Sequence, residues 1–162
     1  MSLLEWISQT ALSTWIREGD TVWAYPMVIT LHSAGLAVMV GLSVVVALRV
    51  LGVARALPLA AMRSLYPMMW FGFGVNAISG VALILADPVG MLTNPLLFVK
   101  LLLIAGAIGC IVRIERRVLR SPVVQTDVVP SSTKRLALVL PVLWAAATTV
   151  GRFTAYIGSD SL

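Results

Sequence analysis

Read for polarity alone, the chain breaks into an amphipathic opening, four apolar blocks and one long polar connector. Residues 21–48 and 64–86 contain no Asp, Glu, Lys or Arg. Each is longer than the roughly 20 apolar residues that carry a helix across about 30 Å of hydrocarbon. Two further blocks, 95–112 (PLLFVKLLLIAGAIGCIV) and 136–157 (LALVLPVLWAAATTVGRFTAYI), reach the same length with one internal cation each, Lys100 and Arg152. A central Lys or Arg costs roughly 3 kcal/mol on insertion scales, and the flanking Leu, Ile, Val and Phe residues offset it. The pattern predicts an all-α fold, a polytopic membrane four-helix bundle over 21–162, with spans near 24–48, 64–86, 95–113 and 135–157.

Residues 1–20 follow a different pattern. In LLEWISQTALSTWI, Leu3, Trp6, Ile7, Leu12, Trp15 and Ile16 fall near one helical face. An amphipathic helix anchored by Trp is expected to lie flat at the membrane interface. The acid Glu5, the missing basic n-region and the missing small-residue cleavage site argue that this segment is retained rather than removed as a signal peptide. Asn94 before Pro95 reads as an N-cap and N1 pair for the third span, and Pro26 sits near the start of the first. Asp87-Pro88 stops the second span, and Pro67 marks its other end. The stretch RSPVVQTDVVPSSTKR is the one long connector.

Composition agrees, with 59% hydrophobic and 12% charged residues and a mean hydropathy of +0.97; this is the profile of a chain whose solvent is the bilayer. The formal charge of +5 raises a nucleic-acid partner, but the distribution of the cations argues against it. Nine of the twelve Lys and Arg residues (Arg49, Arg55, Arg63, Arg113, Arg116, Arg117, Arg120, Lys134 and Arg135) flank the first and third loops. The second loop, DPVGMLTN, has none. The positive-inside rule then places loops one and three in the cytoplasm and both termini on the outer, periplasmic side of a bacterial inner membrane. Cys110, the single cysteine, excludes an internal disulfide and a cysteine-based zinc site.

With about 1.5 Å of rise per residue, the polar groups inside the spans come to comparable depths. His32, the one histidine, lies six to eight residues below the outer end of the first span, and Lys100 and Arg152 about five below the outer ends of the third and fourth. Tyr156 falls one turn above Arg152 on the same face, and Asn76 and Ser79 reach the middle of the second span. Polar residues in spans face the bundle interior or a wet cavity, so this arrangement predicts a cationic pocket in the outer leaflet half. Each residue also has a plainer reading. Lys100 and Arg152 are near enough to the interface to snorkel. His32, too short for that, can be a neutral imidazole bonded to a backbone carbonyl or to Tyr25. The pairs Ala37/Gly41, Ala105/Gly109 and Ala147/Gly151 serve close helix approach or an oligomer contact, and the Met residues fill gaps.

The sharpest chemical reading is a b-type haem. His32 would be the metal's axial ligand, Gly35 would give the macrocycle room, and Lys100 and Arg152 would neutralise its propionates. One histidine cannot supply two axial nitrogens, so a haem requires Met, a five-coordinate iron, or a second His32 across a symmetric dimer. A quinone is the second reading, with His32 and Tyr156 donating to a carbonyl and Trp70, Phe71, Phe73 and Trp144 flanking the ring. Transport of a small solute through an oligomer and a non-catalytic subunit of a larger membrane complex, holding lipid phosphate on Lys100 and Arg152, are the alternatives. No Gly-rich phosphate loop, nucleophile elbow or carboxylate pair is present. An electron-transfer or accessory subunit, as a homo-oligomer or within a larger complex, is therefore expected over a stand-alone enzyme.

Several stretches taken together carry a resemblance. These are W..YP.....H..G....G from Trp23 with LRVLG at Leu48 to Gly52, P....GF......G from Pro67 to Gly80, NP..F.K at Asn94 to Lys100, and W.......GR..AY from Trp144 to Tyr156. They resemble a family of small four-helix bacterial inner-membrane proteins with no assigned activity, and the match spans nearly the whole chain. The resemblance implies the four-helix architecture and places His32, Lys100, Arg152 and Tyr156 at motif positions. The layout is more distantly similar to cytochrome b561 and copper-resistance D type bundles. The chain departs from the family pattern at Ala47, where an acid often precedes the LR pair, and at Arg113 and Glu115, where some members have a further histidine. Both departures speak against a cofactor on the cytoplasmic side.

Overall fold

The computed structural model describes residues 3–121, 123 and 127–157, the last three of these for the backbone alone. Two short helices open the chain, α1 (Leu3–Ser8) and α2 (Ala11–Glu18). The long helix α3 (Tyr25–Leu51) follows, then a 3-10 turn (Leu59–Ser64) running directly into α4 (Leu65–Ala86). A one-turn helix α5 (Pro88–Leu92) leads to α6 (Pro95–Ile114), which continues as a π-type turn over Glu115–Leu119. The last helix is α7 (Ser131–Ile157), with Pro141 inside it. No strand occurs among the described residues.

Four of these segments, Tyr25–Leu51, Leu59–Ala86, Pro95–Leu119 and Ser131–Thr154, are long and apolar enough to cross a membrane. Most of each one faces outward rather than into the bundle. Phe71, Ile78, Leu102 and Val142, for example, are exposed. An apolar exterior of this kind has no counterpart on a water-soluble bundle.

Local chemistry sets the ends of the helices. Asn94 Oδ1 accepts from Leu96 N at 2.9 Å and caps α6, with Pro95 at its first position. Asp87 closes α4 and caps α5, accepting from Gly90 N at 3.0 Å, so the expected loop DPVGMLTN contains a helical turn. At the other end of α3, Gly52 takes a left-handed φ of +87°. Its N–H bonds to Arg49 O at 3.1 Å and that of Val53 to Leu48 O at 3.0 Å, the paired bonds that end a helix on glycine.

Helix α3 packs on α4 and on α7, and α7 packs on α6, giving the spatial order α4–α3–α7–α6. The apolar core fills the end near the arginine-rich loops. Met39, Val46 and Val50 of α3 meet Tyr66 and Met69 of α4, Ile111 and Ile114 of α6, and Leu140 and Trp144 of α7. The other end, beside α1 and α2, holds the polar groups His32, Asn76, Ser79, Asn94 and Lys100 instead.

The opening helices are fastened to that end. Ser13, fully buried, donates from Oγ to Leu85 O at 2.5 Å, and Arg17 donates from Nη1 to Ala86 O at 3.2 Å. These donors satisfy two of the last carbonyls of α4, which have no partner within their own helix. Ile16 is buried beside Ser13, while Leu3, Trp6, Leu12 and Trp15 stay exposed. Ser13→Ala combined with Arg17→Gln is expected to weaken this attachment by about 1–2 kcal/mol. Hydrogen exchange of the residue 3–18 amides should quicken while the core amides keep their protection; unchanged exchange in that segment would show that these two bonds do not hold it.

Candidate functional site

The polar end is organised around a close crossing of α3 and α4. Gly35 and Gly72 let the two backbones touch. A Cβ on Gly35 would stand 2.7 Å from both Asn76 N and Gly72 O, and one on Gly72 would stand 2.8 Å from Val38 Cγ1. Approach this close is possible only where both helices present glycine.

One turn above this crossing His32 and Asn76 bind each other reciprocally. Asn76 Nδ2 donates to His32 O at 2.8 Å, and His32 Nδ1 stands 3.0 Å from Asn76 O. A carbonyl oxygen can only accept, so Nδ1 carries the proton and donates. Ser79 Oγ, which itself donates to Val75 O at 2.6 Å, lies 3.3 Å from the same Nδ1. The ring is thereby fixed as the Nδ1–H tautomer, with the lone pair on Nε2. Asn76 Nδ2, which donates one of its two hydrogens to His32 O, lies 3.4 Å from Nε2 and 3.3 Å from Nδ1. Gly80 makes room for the ring, since a Cβ there would lie 3.2 Å from His32 Cε1.

Lys100 of α6 lies at the same end of the bundle. Its ammonium rests on Gly151 of α7, where a Cβ would come within 3.3 Å of Nζ. It is half-buried. No hydrogen bond or ion pair engages it among the described residues. Trp144, two turns below Gly151, is 2% exposed, and its buried indole N–H has no acceptor.

The sequence-predicted site is thus assembled in part. His32 meets Asn76 and Ser79, which orient it, while Lys100 lies against Gly151 of α7. Gly35 does not open space for a macrocycle, because the α4 backbone fills the position that its missing side chain leaves. Arg152 adjoins Gly151 in sequence, but helical rotation turns it to the surface, where it lines an open cleft with Thr148, Thr149 and Phe153. Trp144 belongs to the apolar core. Trp70 and Phe73, half-buried on α4, make an edge-to-face pair with centroids 5.7 Å apart, and Phe71 points outward. The side chain of Tyr156 lies outside the described residues. The Ala37/Gly41 pair faces away from the bundle, with nothing within 4 Å of Gly41.

Asn76 is the residue that sequence reasoning undervalued. An Asn in an otherwise apolar span is a signal in itself, but its pairing with His32 depends on the Gly35–Gly72 contact that sets the two helices in register. Comparison of the chain with protein families, curated proteins and solved structures finds no match. Function therefore has to be argued from the site.

Proposed function

We propose that this chain is an integral subunit of a bacterial inner membrane that holds a b-type haem through His32. The observation that carries the reading is the fixed tautomer. An imidazole whose Nδ1–H is bound to a backbone carbonyl presents Nε2 as an oriented ligand, the arrangement by which metal-binding histidines are commonly held. Lys100, charged, half-buried and without a partner among the described residues, supplies the counter-charge for a carboxylate. The reading rests on Lys100 alone for charge, and assigns no role to Gly35 beyond the helix crossing.

Bound there, such a group supplies one-electron chemistry. The residues of the chain hold and orient it and fix the protonation of His32. One histidine per chain gives one imidazole ligand, so a bis-imidazole site requires a symmetric dimer. The apolar exterior, the exposed Trp6 and Trp15 on α1 and α2, and the concentration of cations at the opposite loops favour a bundle in the bilayer with both termini outside.

The reciprocal His32–Asn76 bonds favour a second reading, in which the pair serves only to fasten α3 to α4 in a structural subunit. The two separate in a reduced-minus-oxidised absorption spectrum of gently solubilised protein expressed with haem supplied. Soret and alpha bands are expected in the wild type, lost in His32→Ala and retained in Asn76→Ala, which keeps the backbone carbonyl that orients Nδ1. A colourless wild type would remove the haem and leave the fastening role.

A further inference from the structure

At the opposite end of the bundle, where the first and third loops meet, a cavity of about 310 Å³ is lined by Arg49, Gly52, Arg55, Asp127, Val129 and Lys134. We propose that this cavity binds a phosphate group, carried by an anionic lipid headgroup or free in solution. The proposal is independent of the haem reading and of which face of the membrane is cytoplasmic.

Arg49 is the fixed element. Its side chain is 5% exposed, with Nε donating to Leu57 O and Nη2 held 2.7 Å from Asp127 Oδ1. Nη1 has no acceptor among the described residues although Arg49 lines the cavity. Asp127 adopts a φ of +54°, a conformation that Asp tolerates better than most residues, and its N–H bonds to Val123 O at 3.0 Å. Arg55 folds back over the terminus of α3, donating from Nε to Gly52 O at 3.1 Å. Gly52, whose φ of +87° favours glycine, lies beneath it, and a Cβ there would stand 3.2 Å from Arg55 Nε. Lys134 reaches the cavity from the first turn of α7, and its side chain makes no hydrogen bond or ion pair among the described residues.

Three cations and one carboxylate leave two positive charges around a space large enough for a phosphate and the first atoms of its ester. Two other cations of this end are differently occupied: Arg63 donates to Leu119 O, and Arg120 pairs with Glu115 at 2.7 Å. Guanidinium donors match phosphate oxygens in geometry as well as charge. The cavity opens where the apolar helices end, the level at which lipid phosphates lie, and basic pockets at such helix ends hold anionic headgroups.

The test uses the full chain in nanodiscs, with thermal unfolding followed by tryptophan fluorescence and retained lipid counted by native mass spectrometry. Three conditions are compared: phosphatidylcholine alone, phosphatidylcholine with phosphatidylglycerol, and phosphatidylcholine alone with inorganic phosphate. The variant is Arg55→Gln with Lys134→Gln, both exposed and outside the Arg49–Asp127 pair, so that the fold is kept. At low salt the variant is expected to bind about twenty-five-fold more weakly, two basic contacts of about fivefold each. Stabilisation by phosphatidylglycerol alone identifies the headgroup as the source. Stabilisation by inorganic phosphate in phosphatidylcholine discs identifies a soluble one. A wild type that responds to neither, or a variant that responds equally, would overturn the proposal.

Discussion

Gly35→Ala is expected to destabilise the protein by about 2–3 kcal/mol, the cost of forcing extra volume into a closely packed contact. The added methyl would lie 2.7 Å from Asn76 N and from Gly72 O, and both are backbone atoms that cannot rotate away. The helices must separate, and the His32 Nδ1–Asn76 O bond one turn above separates with them. Gly41→Ala is the matched control on the same helix. Nothing lies within 4 Å of that position, and replacing a mid-helix glycine by alanine there is expected to stabilise by about 0.5–1 kcal/mol. Reversible unfolding of both variants in mixed micelles measures the difference. Equal midpoints for Gly35→Ala and wild type would mean that α3 and α4 do not meet at this crossing.

Arg49→Met is expected to cost about 2–3 kcal/mol. The substitution keeps an apolar stem but leaves Leu57 O without its donor and Asp127 without its partner. Asp127→Asn is expected to cost about 1 kcal/mol or less, because the Asp127 side chain is 55% exposed and water replaces much of what the pair supplies. A double-mutant cycle in the same micelle assay separates the contributions. The asymmetry between the two single variants is the informative quantity. Comparable losses would mean that Arg49 acts mainly through Asp127, and a near-neutral Arg49→Met would show that its burial is relieved by water rather than by these bonds.

Much of the architecture was legible because it follows from local properties. Long apolar runs, two free of charge and two with a single cation, fix four helices by length, and Asn94-Pro95 and Asp87-Pro88 fix ends through short-range hydrogen bonds. The boundaries that moved did so where the apolar signal fades into polar residues. Helix α7 begins at Ser131 rather than near 135, and α6 runs on through a π-type turn to Leu119. The 3-10 turn before α4 and the helical turn at Pro88–Leu92 lie in stretches too short for periodicity to report.

The candidate site was legible in its residue types and in depth, and less so in direction. His32, Lys100 and Arg152 come out at one level from helical rise alone. Whether two of them face each other depends on helix rotation, which the sequence expresses only through contacts between residues far apart in the chain. Lys100 settles on Gly151, and Arg152, the next residue along, is carried about 100° around the helix and faces outward. Gly35 illustrates the same limit, since a glycine beside a histidine reads equally well as space for a ligand and as space for a neighbouring helix. The sequence by itself determined which helices are long and apolar enough to cross a membrane and where the polar groups lie along each of them, because apolar length and rise per residue are local quantities. Only the tertiary structure decided which of those groups meet, because a close Gly35–Gly72 crossing sets the rotation of α3 against α4 and brings Asn76 to His32.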